Sequence, residues 1–181
     1  MDGENATGVL PVARSDDPVE RLEALFDAHY DRLYRLARRL VSNGDDARDL
    51  VQDTFLKAAR SPNSIPQGMR DEEAWLVRVL INVRRDQWRR MAVRNRARNE
   101  VPTRPHPETA MIARAVVWAA LDVLPPRRRA VVVMYELEGA DIPSIASLLG
   151  ISAITVRWHL SMGRRALSKA LHPYTGETNG H

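Results

Sequence analysis

The sequence predicts an all-α protein: two small helical domains joined by a flexible linker, the second a helix-turn-helix domain. Three observations carry that reading. Apolar residues recur at three-and-four spacing through most of the chain, the period of one buried helical stripe. No stretch of useful length alternates apolar with polar side chains as a half-buried strand would, although residues 130–134 are β-branched enough to fit either structure. Near the middle, Pro102, Pro105 and Pro107 break a pattern that a helix cannot carry past them. The expected organisation is a tail over 1–17, a domain over 18–95, a linker over 96–108, a second domain over 109–172 and a tail over 173–181.

Taken in order, Asp17-Pro18-x-Glu20 reads as a helix start, with Asp17 as cap and Pro18 at the first helical position. Leu22, Leu25, Phe26, His29, Leu33, Leu36, Ala37 and Leu40 then form its stripe, and Asn43-Gly44 ends it. A second helix starts at Asp45 or Asp46, buries Ala47, Leu50, Val51, Phe55 and Ala58, and stops at Ser61-Pro62. Residues 61–70, with two prolines and a glycine, read as an exposed loop. Asp71 opens a long helix whose stripe is Trp75, Leu76, Val79, Leu80 and Val83. Past the prolines, Ile112, Ala115, Val116, Ala119 and Leu121 mark a further helix, closed by Leu124-Pro125-Pro126, and three helical segments follow over about 127–138, 142–149 and 152–171.

Composition excludes several functions. The chain of 181 residues has no cysteine, which removes disulfides, thiolate metal sites and a cysteine nucleophile. Its first seventeen residues lack an apolar run of signal-peptide or membrane-span length, so a cytoplasmic protein without membrane insertion is expected. The net charge is only +4, so the informative feature is where arginine clusters. Between residues 84 and 98 seven arginines face a single acid, Asp86. Trp88 lies among them, spaced to pack below Leu80 and Val83 but also placed to stack on a base among arginines.

Two motifs carry the chemistry. Ile145-Ala146-Ser147-Leu148-Leu149-Gly150-Ile151-Ser152, followed by Thr155-Val156, has the pattern of a helix-turn-helix. Gly150 supplies the left-handed residue, Ile151 plugs the core beneath the turn and Ser152 caps the next helix. That helix turns Val156, Leu160 and Leu167 inward and presents Arg157, Trp158, His159 and Met162, a composition suited to the major groove, with Arg164 and Arg165 placed for phosphate. In the first half, Asp46, Asp49, Gln52 and Asp53 share one face opposite an apolar stripe. Taken alone that patch reads as a solvated face at a helix start, and with no histidine or partner motif beside it does not read as a metal or acid-base site.

Together these residues resemble the extracytoplasmic-function (ECF) group of the sigma-70 family of transcription factors. The match runs through residues 46–55, then Trp75-Leu76-Val77-Arg78 with Asn82, Asp86 and Arg89-Arg90, then Leu124-Pro125-Pro126-Arg127 with Gly139, Ile145-Ala146, Gly150-Ile151 and Thr155-Val156. The resemblance implies a factor that directs core RNA polymerase to promoters and aids their melting, without catalysis, cofactor, metal or small-molecule substrate. It implies that Asp46, Asp49, Gln52 and Asp53 dock on the clamp helices of the polymerase's largest subunit, and that the flap is a further contact. Asn63 or Ser64 would hold a flipped base of the minus-ten element, with Asn82, Arg85 and Arg89 facing the DNA. Ser152, Thr155, Arg157, Trp158, His159, Met162 and Arg164 would read the minus-thirty-five element, and an anti-sigma protein would hold the factor inactive. Ser144 stands where the family carries an acid, with Pro143 before it, which points to a shifted helix start; Ile154 replaces a common glycine and Trp158 a small polar residue. The competing classes are a dimeric activator or repressor acting without polymerase and a metal-dependent nucleic-acid enzyme using the aspartates.

Overall fold

A computed structural model of the protein describes the backbone of residues 17–98 and 109–175, with side chains over 17–94 and 115–172. The expected tails, apart from Asp17 and residues 173–175, and the linker beyond Arg98 lie outside the described residues. Within them every regular element is helical.

Helix α1 spans Pro18–Leu40, and the Asp17 carboxylate accepts a hydrogen bond from the Val19 amide at 2.9 Å. It buries Leu25, His29, Leu33, Leu36, Ala37 and Leu40. Phe26, expected in that stripe, falls one residue off its axis and is 42% exposed. Its ring leans instead on Tyr30 and Phe55, with centroids 4.8 and 4.9 Å away.

Helix α2 spans Gly44–Arg60 and starts a residue or two earlier than its aspartates indicate. Asn43, expected to end α1, caps α2: its side-chain oxygen accepts from the Asp46 amide at 2.8 Å. The loop that follows holds one 3-10 turn, Pro62–Ser64, and inserts Ile65 into the core. Helix α3, Met69–Arg98, opens on the positive-φ Gly68 and runs three residues into the expected linker, since proline first appears only at Pro102. Val77 and Ile81 are buried with Leu76, Leu80 and Val83, whereas Trp75 and Val79 of the expected stripe are half-buried. The reason is position: α3 packs on α1 and α2 with one side and on the second half of the chain with another.

That second half comprises α4 (Thr109–Asp122), α5 (Pro126–Val132), α6 (Ile142–Leu149) and α7 (Ala153–Thr175). The ambiguous residues 130–134 are helical, and α5 continues through a π turn, Val133–Leu137, in which the Glu138 amide reaches the Val133 carbonyl at 3.1 Å. Helices α5 and α7 cross closely at Gly163, where a Cβ would stand 2.5 Å from Val132 Cγ2. Wholly buried Leu33, Leu36, Leu50, Leu76, Leu80, Leu124 and Ile145 anchor one apolar core running through both halves. Each such side chain contributes about 1.5–3 kcal/mol.

The seam between the halves also carries charge. Arg32 grips both carboxylate oxygens of Glu138, at 3.2 and 3.0 Å, and Arg39 adds a third bond at 2.8 Å. Arg129, almost wholly buried, donates to the Arg39 carbonyl at the end of α1 and to Asp122, and burial lowers its pKa. A guanidinium at a helix C-terminus meets carbonyls that have no partner within the helix.

Candidate nucleic-acid interface and acidic face

On α2, Asp46, Asp49, Gln52 and Asp53 all point outward and are exposed, because Ala47, Leu50, Val51 and Thr54 take the inner positions. Few contacts brace them. Asp46 accepts from the Asn43 side-chain amide at 2.8 Å, and Asp53 from Gln87 on α3 at 3.2 Å.

Asn63 and Ser64 are exposed in the 3-10 turn, which Arg21 of α1 ties down by donating to the Ile65 carbonyl at 2.9 Å. On α3, Asn82 and Arg85 are half-buried and Arg89 is exposed, on one face at spacings of three and four. The Arg85 Nε is buried without a hydrogen-bond partner. Trp88, for which the sequence left core packing and stacking open, is half-buried and does not join the apolar core.

The helix-turn-helix is built from α6 and α7. Asp141 caps α6 by accepting from the Ser144 amide at 2.7 Å, and hydrogen bonds from the Ser144 side chain and backbone hold its carboxyl below the usual carboxylate range. An acid is therefore present, but three residues before Ser144 and as the cap; Pro143 falls in the first turn, where its missing N–H is not needed. Gly150 adopts φ 62°, and a Cβ there would also press on Arg78 of α3 at 3.3 Å. Ser152 Oγ accepts from the Thr155 amide at 3.1 Å and lies 2.8 Å from Thr155 Oγ1.

With Val156, Leu160 and Gly163 buried, the outward stripe of α7 is Ile154, Arg157, Trp158, Ser161, Arg164 and Arg165. His159 and Met162 are half-buried on its flank, because they adjoin the inward positions at 160 and 163. The Arg128 guanidinium of α5 lies 5.3 Å from the Trp158 ring centroid, and the indole meets the His159 ring edge-on at 4.9 Å. Burial first, then the charges of Arg128 and Arg127, push His159 below its ordinary pKa of 6.5, and its Nδ1 is buried with no partner. Arg164 is engaged by Glu136 at 2.8 Å and stacks on Tyr135. Beyond it Arg165, Ser168, Lys169 and His172 line an open basic groove. Ile154, 76% exposed, was not singled out from sequence as a reader; the available signal was its place four residues before Trp158.

Among the described residues no cluster of three or more His, Asp or Glu side chains is arranged to hold a metal ion, and no single helix is long and apolar enough to cross a membrane.

Residues 25–94 match sigma-70 region 2 and residues 114–167 match sigma-70 region 4. Two helical regions of these kinds in this order define a sigma-70-type transcription initiation factor. The chain is 35% identical, over 98% of its length and 72% of the relative's, to the ECF RNA polymerase sigma factor SigE of Mycolicibacterium smegmatis. It is 37% identical to the RNA polymerase sigma-E factor of Streptomyces coelicolor, over 77% of each chain. Its fold is similar to that of CnrH solved with the cytosolic domain of CnrY, at TM-score 0.54, 26% identity and coverage of 86% of this chain and 90% of that one. It is likewise similar in fold to the sigma factor RpoE bound to the anti-sigma factor NepR from Bartonella quintana, at TM-score 0.53, 24% identity and coverage of 85% and 96%. The chain belongs to the ECF group of RNA polymerase sigma factors in the sigma-70 family.

Proposed function

We propose that this factor works purely by binding, in the cytoplasm, with each of its three surfaces assigned one task. The acidic face of α2, Asp46, Asp49, Gln52 and Asp53, docks on the clamp helices of the polymerase's largest subunit. The turn carrying Asn63 and Ser64 and the α3 face carrying Asn82, Arg85 and Arg89 take the minus-ten element and hold a base outside the stack, at a cost of a few kcal/mol. Ser152 at the cap of α7 and its residues Thr155, Arg157, Trp158, His159, Met162 and Arg164 take the minus-thirty-five element, and phosphate contacts make the affinity fall steeply with salt. The observation that carries this reading is the outward face of α2, where all four polar side chains are exposed while the apolar side of the same helix is buried.

The two DNA elements lie about 25 base pairs apart, roughly 85 Å along B-form DNA, whereas a compact chain of this length has a radius of gyration of about 16 Å. Reading both at once therefore parts the seam at Glu138 and Arg129. An anti-sigma protein, of the kind bound to RpoE, is the regulator expected to hold the factor off the polymerase. In vitro transcription with core polymerase over a randomised promoter library tests the proposal. Transcripts should select two short elements at fixed separation; absence of any factor-dependent RNA refutes it.

A further inference from the structure

The outward stripe of α7 is not uniformly polar. Ile154 is 76% exposed and Trp158 is 53% exposed, and four residues apart on a helix they adjoin each other on the surface. Both belong to the first two turns after the Ser152 cap, the end of such a helix that meets base edges. Neither is a loose surface residue within a neutral patch. Arg157 and Arg165 share the stripe, Arg127 and Arg128 flank it from α5, and so positive charge surrounds the apolar pair. An apolar ridge set among arginines complements a polyanion that carries apolar groups, rather than the apolar face of another protein.

In the major groove one base meets that description. Thymine alone projects a C5-methyl group there, and apolar side chains recognise it by contact. The indole of the ridge is also held in place. Arg128 reaches across from α5 to lie 5.3 Å from the indole centroid, its Nε buried without a hydrogen-bond partner, and the His159 ring closes on the indole from the side. Resting on the sigma-factor reading above, we infer that Ile154 and Trp158 form an apolar ridge that selects a thymine methyl in the minus-thirty-five element, with Arg128 as the positioning residue that fixes the indole.

Holoenzyme binding to a library-selected promoter fragment tests this when each minus-thirty-five thymine is replaced in turn by deoxyuridine, which lacks only the methyl. The wild-type factor should lose about fourfold in affinity at one or two positions, the value of one buried methyl. Ile154→Ala and Trp158→Ala should bind the thymine and deoxyuridine forms alike. Arg128→Ala should weaken the same discrimination with the salt slope unchanged, and Arg128→Lys, which keeps a cation over the ring, should restore it. Indifference of the wild type to every deoxyuridine overturns the inference, as does discrimination that survives in both ridge variants, or a selected element without thymine. A salt slope that drops by about one in Arg128→Ala makes that residue a phosphate contact and removes its positioning role. A holoenzyme that binds no fragment defeats the sigma-factor reading and this inference with it; one that binds but ignores methyl groups defeats this inference alone.

Discussion

Helices α2 and α7 each turn a charged face to solvent, but they are built on opposite plans. The α2 face is acidic and barely braced, with one bond to Asp46 from its own cap and one to Asp53 from Gln87. The α7 face is arginine-rich and clamped, with Trp158 under Arg128, Arg164 between Glu136 and Tyr135, and Thr155 tied to Ser152. The difference fits the tasks proposed for the two faces. A protein partner of complementary charge can gather side chains that are merely accessible, whereas base edges offer donors, acceptors and methyl groups at fixed positions and penalise displacement. The first face should answer to the sign of its charge and the second to its geometry.

The largest expected effect tests the first half of that contrast. Asp49→Arg combined with Asp53→Arg should cut capture of core polymerase by at least about a hundredfold, since like charges brought together cost several kcal/mol. Thermal unfolding should barely move, as both residues are exposed. Asp49→Glu, which keeps the sign, should leave capture close to wild type; a loss as large as the reversal would show that α2 is also read by geometry.

On the α7 side, Gly163→Val should destabilise the second half by about 2–3 kcal/mol through overpacking against Val132, measured by denaturant unfolding. Removing the Ser152 hydroxyl is a smaller disturbance: Ser152→Ala should cost about 1 kcal/mol as the Thr155 amide loses its cap.

The smallest effect is in pH. His159 has its folded pKa depressed below 6.5, so the unfolded chain binds the proton more readily. Its share of stability is therefore intact above about 6.5 and is lost as pH falls from there toward the lowered value. The difference between the unfolding midpoints of wild type and His159→Gln should stay constant above about pH 6.5 and shift below it, with the wild type the more acid-sensitive.

Much of this was legible in the residues. Local signals with a mechanism held: Asp17 as a cap, Gly150 as a left-handed stop and Ser152 as the second cap are each paired in the fold as their chemistry requires. The period of the apolar stripes placed the helices, but not the burial of Val77 and Ile81, because α3 also packs on α5 and α6, which are distant in the chain. Asn43 reads in the sequence as the end of α1 yet caps α2 in the fold, because such a residue serves the segment after it as readily as the one before. At the site, helical period separated Val156 and Leu160 from Arg157 and Trp158. It did not separate His159 and Met162 from the outward stripe, nor reveal Arg128 over the indole, since that contact joins two helices thirty residues apart.

The close crossing at Gly163 reaches further than packing. With only a hydrogen atom between α7 and Val132 of α5, α7 has little freedom to roll about its own axis. On the role proposed for α7, the azimuth at which Ile154, Arg157 and Trp158 would meet a base pair is thereby set nine, six and five residues upstream of the crossing, by an absent side chain. A larger residue there would turn the whole reading edge through an angle, changing which groups face the DNA without altering any of them.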